Sequence, residues 1–323
     1  GNQGASNGLS SRLCPDYFFG FEQQFCREVS EDFMLPTGAT LAPTPFPSSG
    51  YPVYVPTPPP TPAPVPRACI PTRGRCAASY VQLSTVLQEA RIGDTVSVCG
   101  SIFVPEPLIV SVSNLTMCCN DTQRCSFNSG GGPNLIVQAQ SVILKGLAFQ
   151  NGRSEAGGNV AIQGGGHHRI SHCLFSNGTA DEGGGNLAIS NADSVSILNS
   201  IFESGFASVG GGAMVLDVPV VAVENSYFTS NVATSNGGGG LLVAFPGVAF
   251  ASEVEVAIVS TLFESNEAIF GGGFFVEGSR ILETRIVVLD SYFDSNDARR
   301  TGGAGAVMED SIVYFYGNQG ASN

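Results

Sequence analysis

The sequence predicts an all-β fold, a three-sheet parallel β-helix that winds through residues 67–323. Three observations predict it. A phrase made of a short apolar strand and then Phe-x-x-Asn, or a near variant, recurs with copies at Phe149, Phe175, Phe202, Phe228, Phe263, Phe293 and Phe315. Glycine runs follow six of the copies, at Gly157-Gly158, Gly183-Gly185, Gly210-Gly212, Gly237-Gly240, Gly271-Gly273 and Gly302-Gly303, and each opens the next apolar strand. The spacing of 22 to 35 residues between copies is the period of a solenoid.

From the N-terminus, the first seven residues, Gly1 to Asn7, are identical to the last seven, Gly317, Asn318, Gln319, Gly320, Ala321, Ser322 and Asn323. The C-terminal copy reads as the end of a phrase, Phe315-Tyr-Gly-Asn318, so residues 1–7 are expected to be the tail of a last coil in a preceding copy. The chain is then expected to be one period of about 316 residues from a tandem or head-to-tail array, with 317–323 as the assembly residues. Residues 8–40 carry Cys14 and Cys26 around Tyr17, Phe18, Phe19, Phe21 and Phe25. So short a segment cannot bury a core of its own, so this element is expected to lay its aromatics on another surface, as a cover for the open end of the preceding copy's stack.

In residues 41–66, eleven of 26 are proline. Proline fixes φ and removes the amide donor, so the stretch is expected to be an extended polyproline II spacer of up to ~80 Å at ~3.1 Å per residue. A docking site for a proline-reading partner is the lesser reading. Thr57 and Thr61 within it are candidate sugar acceptors. A helix is expected over Tyr80–Arg91, with Val81, Val86, Leu87 and Ala90 as its apolar stripe, before alternation at period two begins near Val96.

One coil can be read from Ala213 to Phe228: a strand Ala213-Leu216, a turn at Asp217-Pro219, a strand Val220-Val223, a bend at Asn225 and a third strand reaching Phe228. Eight or nine such coils spaced ~4.8 Å apart make a rod of roughly 40 Å. The recurring Phe is expected to point inward and stack on its neighbours. Three residues before it, His172, Asn199, Asn225, Ser260 and Asp290 are expected to form one polar ladder, and Asn231, Asn266, Asn296 and Asn318 a second. Irregularities are expected where Asn151 and Asn177 arrive one residue early and where Gly205 replaces Asn. The long interval holding Phe245-Pro-Gly-Val-Ala-Phe250 is expected to bulge as a loop.

Composition narrows the function. Charged residues are 13% of the chain and the net charge is −13, with Lys145 the sole lysine, so no basic surface is available for nucleic acid. No apolar run reaches the roughly 20 residues needed to span a bilayer, and residues 1–11 lack a charged-then-apolar leader, so the segment reads as a soluble, processed or excised piece. Cys14, Cys26, Cys69, Cys76, Cys99, Cys118, Cys119 and Cys125 are the disulfide candidates, with Cys14 to Cys26 and Cys69 to Cys76 as short loops that suit closure. Their spacing is poor for zinc, and Cys173, isolated in a repeat, is the expected buried thiol. Sequons at Asn114, Asn120 and Asn177 add to an extracellular, glycosylated expectation.

The helix followed by Ile92-Gly-Asp94 and a first strand resembles the opening of right-handed parallel β-helices of the pectin-lyase-like class, which implies that handedness and a helix covering one end of the stack. From about Ser126 onward, the pairing of Phe-x-x-Asn with Gly-Gly-apolar resembles the repeats of the chlamydial polymorphic outer membrane proteins. Similar repeats occur in large extracellular algal and protist proteins. With the proline rod, the sequons and the identical ends, the resemblance implies a mastigoneme-like filament subunit whose partners are copies of itself and covalently attached glycans. A cell-surface adhesin with a β-helix stalk is the alternative.

A polysaccharide lyase or hydrolase is a second alternative, since the class often cleaves acidic sugars. His167-His168-Arg169 could serve as a catalytic loop, but it runs straight into an apolar strand and reads better as an exposed strand start. Asp181-Glu182, Glu253 with Glu255, and Glu309-Asp310 are isolated acidic pairs that read as solvated surface. The class's paired aspartates with a following Arg-x-Lys are missing, and there is no Trp for sugar stacking. No catalysis, cofactor or metal is expected, and the glycine runs are not a phosphate cradle because they recur in every coil without a following P-loop lysine.

Overall fold

The computed structural model describes residues 69–72, 76–120, 124–246, 254–278, 284–308, 311–321 and 323. The expectations for residues 1–7, 8–40 and 41–66, including Cys14, Cys26, Thr57 and Thr61, and most of the loop at 245–250 lie outside them. The described chain is a parallel β-solenoid. In each complete coil it passes through sheets I, II, III and IV in turn, and every paired strand is parallel to its neighbour one coil away. Sheet I has nine strands from Thr95–Val98 to Ser311–Tyr316, and sheet II nine from Ser101–Val104 to Gln319–Ala321. Sheet IV has eight, from Leu108–Val110 to Gly305–Met308.

Sheet III adds a fourth wall to the expected three. Its six short strands, from Arg153–Ala156 to Asp297–Thr301, lie between the phrase and the glycine run. They run two to five residues, some polar and some apolar, and are partly exposed, so they carry little of the alternation that marks the other sheets. The strands of the unit read from the sequence fall at Ala213–Leu216, Val220–Glu224 and Tyr227–Thr229.

Ser79 caps the helix α1, Tyr80–Glu89, by accepting from the Gln82 amide, while the Gln82 side chain accepts from the Ala78 amide. The helix packs across the first strands of sheets I, II and IV through Leu83 and Leu87. Val81, expected in the apolar stripe, is instead 71% exposed, because the one-turn pair Leu83 and Leu87 defines the buried face. Two disulfides, Cys69–Cys118 and Cys76–Cys99, fasten this end to the first two coils, and Cys119–Cys125 closes the bend between sheets I and II in the second. Cys69 and Cys76 do not close a loop on each other; Cys69 reaches Cys118 in the strand Thr116–Cys119, and Cys76 reaches Cys99 just past the strand Thr95–Val98. Cys173 is free and buried.

Phe127, Phe149, Phe175, Phe202, Phe228, Phe263 and Phe293 form one buried column in sheet II, with neighbouring centroids 4.7 to 5.4 Å apart. Exact register puts Phe on Phe in successive coils, and burying each side chain is worth about 2–3 kcal/mol. Phe315 is not part of the column. It lies in sheet I opposite Val288, and Gly320 holds the place in register with Phe293.

The bends between sheets I and II take a left-handed backbone at His172, Asn199, Asn225, Ser260 and Asp290, and those between II and III at Asn151, Asn177, Ser204, Ser230, Ser265 and Ser295. The first polar ladder is therefore displaced by one residue from its expected position. Cys173 N donates to Ser200 Oγ, Ser200 N to Ser226 Oγ, Ser226 N to Thr261 Oγ1, Thr261 N to Ser291 Oγ and Ser291 N to Asn318 Oδ1.

The second ladder is a chain of seven asparagines. Each Nδ2 donates to the next Oδ1, in the order Asn134, Asn159, Asn186, Asn231, Asn266, Asn296, Asn323. The first three stand just before a sheet IV strand and the last four close the phrase. Each coil corner has room for one such side chain. At Gly178 a Cβ would collide with the Gly185 carbonyl, and at Gly240 with the Gly273 carbonyl. Asn323, not Asn318, is the last rung, and Asn318 belongs to the first ladder.

Candidate functional surfaces

The His167-His168-Arg169 strand start divides into two environments. His167 is exposed, with its Nδ1 2.8 Å from Ser194 Oγ. His168 is 2% exposed, which corrects the reading of this segment as wholly surface. Its Nδ1 accepts from the Val142 amide at 3.2 Å and its Nε2 lies 2.7 Å from the Gly164 carbonyl, which fixes the neutral Nε2–H tautomer. Burial pushes its pKa down. Both nitrogens are used by backbone partners, so the ring ties together two coils and neither nitrogen faces a reactant.

Arg124, Lys145, Arg169 and His172 gather at a bend between sheets I and II. Arg124 Nε donates to the His172 carbonyl at 3.2 Å, and burial lowers its guanidinium. Burial, then the charges of Lys145, Arg124 and Arg169, lowers the pKa of the His172 imidazole. The Cys173 thiol beneath is pushed up to about 11 by burial, so it stays protonated. This is a positive corner in an acidic chain, where the Glu203 carboxylate acts on Arg124.

Asp181 and Glu182 are exposed on sheet III, with Asp181 3.7 Å from Arg153. Glu255 is exposed on sheet I, while Glu253, Glu309 and Asp310 lie outside the described residues. Among the described residues no group of three or more His, Cys, Asp or Glu is placed to hold a metal, and no helix is long and apolar enough to cross a membrane.

Asn114, Asn120 and Asn177 are all exposed, each at a bend of the early coils. The C-terminal heptad continues the solenoid: Gln319–Ala321 pairs with Tyr292–Asp294, and Asn318 and Asn323 end the two ladders. Ser322 lies outside the described residues.

Sequence reasoning missed the outer face of sheet I. Register places Lys145, Arg169 and Ser171 on its early coils, then Ala257 and Val259, Val287 and Leu289, and Ile312, Tyr314 and Tyr316 on its last three. Tyr316 is 77% exposed, Tyr314 47% and Ile312 40%. The missed signal was apolar residues at both parities of the last sheet I strands, Thr284–Leu289 and Ser311–Tyr316, where a strand with one wet face would alternate. No protein-family model, no curated protein and no solved structure matches the chain.

Proposed function

We propose that this chain is a structural subunit of an extracellular filament or surface appendage, assembled as tandem or head-to-tail repeats of about 316 residues. The observation that carries the reading is the heptad Gly317–Asn323. It runs through the last described strand of sheet II and fills the next position of both ladders, and the same seven residues stand at 1–7. A sequence that carries this ladder-bearing heptad twice, 316 residues apart, is suited to being repeated. The likeness of the repeats to those of chlamydial polymorphic outer membrane proteins and of mastigoneme-like algal and protist proteins is in keeping with this role.

Three disulfides in the first two coils suit an oxidising compartment. The exposed Asn114, Asn120 and Asn177, with Thr57 and Thr61, are the proposed glycan sites. The proposal includes no catalytic role, no cofactor and no nucleic-acid partner. An adhesin would use the same stack, but the duplicated heptad has no task in it.

Trypsin digestion of native material tests the covalent form. A tandem array yields a peptide from Thr301 through Asn323 that continues into Gly8-Leu-Ser-Ser-Arg12, whereas Asn323 as a free C-terminus leaves only non-covalent assembly. Electron microscopy of the same material is expected to show fibres with a fixed axial repeat. Dispersed single rods would overturn the filament reading.

A further inference from the structure

The late coils of sheet I present a largely apolar outer face made by Val259, Val287, Leu289, Ile312, Tyr314 and Tyr316, edged by Glu255 and by Arg285, whose guanidinium lies over the Tyr314 ring. Three strands at ~4.8 Å spacing and about six residues each make it roughly 15 by 20 Å. Contiguous apolar surface of this kind marks a site of association. All three sequons lie at or before Thr179, so this half of the rod carries no N-glycan acceptor to shield it.

We infer that the aromatic segment 8–40 of a second copy docks on this face. The inference rests on the filament reading and names its contact. Segment 8–40 places Tyr17, Phe18, Phe19, Phe21 and Phe25 within nine residues, more apolar surface than so short an element can bury alone. Its tether starts from the same sheet: Cys69 is bonded to Cys118, which shares the outer-face column of Lys145 and Ser171. Seven strand steps, about 34 Å, separate the Cys118 strand from the last strand of sheet I. The proline stretch 41–66 spans up to ~80 Å when extended, more than twice that distance. A spacer able to extend that far can pass its own late coils and reach those of a neighbour.

The test uses the full chain with a photo-crosslinking phenylalanine analogue at position 19, as an equal mixture of isotopically light and heavy copies. After irradiation, light-to-heavy crosslinks are expected from residue 19 to the peptides holding Val287, Leu289, Tyr314 and Tyr316. The double variant Tyr314→Asp/Tyr316→Asp, at exposed positions that leave the stack folded by circular dichroism, is expected to lower their yield at least about tenfold, equivalent to ~1.4 kcal/mol. Ser196→Asp, on the same face in an earlier coil, is expected to leave the yield unchanged.

Crosslinks within single copies only would overturn docking between copies, and crosslinks to other surfaces would overturn the assigned face. If either occurs while the chain still forms fibres of fixed repeat, the docking fails and the filament reading stands. If the chain stays monomeric with no crosslink between copies, both fail.

Discussion

Asn186 and Asn231 meet across a coil that contributes no asparagine of its own: Asn186 Nδ2 donates to Asn231 Oδ1 at 3.4 Å, although 45 residues separate them. The coil between them has Gly205 and Gly212 at its two corner positions. Asn186 reaches forward to the Glu203 carbonyl, and Asn231 reaches back to the Phe202 carbonyl and accepts from the Gly205 amide. The ladder thus changes from one side of the corner to the other without a break.

Asn231→Ala is expected to cut the stack at this joint. It removes the acceptor of Gly205 N and Asn186 Nδ2 and the donor to the Phe202 carbonyl, all in buried surroundings. Leaving such groups unpaired costs about 1–3 kcal/mol each, so a loss of at least ~3 kcal/mol is expected. Because coils couple only to neighbours, urea unfolding followed by circular dichroism should separate into two transitions. A single transition at the wild-type midpoint would refute the ladder's role.

Phe202→Ala is expected to destabilise the chain by about 3–5 kcal/mol, the usual cost of emptying a buried phenylalanine site. Phe202 stacks on Phe175 and on Phe228 at 4.7 Å each, so the cavity lies in mid-column. Phe315→Ala, at a residue 42% exposed and outside the column, should cost less than half as much. Chemical denaturation of the two variants side by side checks this ordering.

Stability is expected to fall as pH drops below about 6.5, the unperturbed histidine value. His168 has a lowered pKa in the fold, so below that value the unfolded chain takes up a proton that the native chain resists. The loss grows until the pH passes the folded pKa and then levels off. His172, also lowered, contributes in the same direction. His168→Gln should flatten the slope of melting temperature between pH 7.5 and 5, measured by calorimetry.

Cys173 should resist alkylation in the native state and react fully once the chain is unfolded. Its thiol is buried, with a pKa of about 11, and directed at the Leu144 and Ser171 carbonyls. Mass spectrometry after iodoacetamide treatment with and without urea reads the difference. Cys173→Ser is expected to be tolerated, since Ser200, Ser226 and Ser291 fill the equivalent position in later coils.

The solenoid was legible because its strongest signals are local. Phe at a fixed place in each phrase and glycine at each re-entry both follow from the geometry of one coil, and Ala213–Leu216 and Val220–Glu224 fall where alternation puts them. The last coil was harder. Gly317–Asn323 aligns with Asp290–Asn296 by register, but Gly320 stands where Phe belongs, so the nearest aromatic, Phe315, drew the phrase five residues too early. The first ladder was displaced because the left-handed residue at each bend turns the chain and the residue after it carries the bond. Sheet III was hidden because its strands are too short to show a period, Phe206–Ala207 and Val232–Ala233 being two residues each. The late face of sheet I could be assigned only once register separated inward residues from outward ones.

Seven carboxamides in single file all donate in the same sense, from Asn134 towards Asn323. Their dipoles add rather than cancel, so the rod carries an arrow along its axis. Two rods placed head to head would oppose their arrows at the junction, whereas head-to-tail contact continues the row. Any fibre built by extending this stack would then have unlike ends.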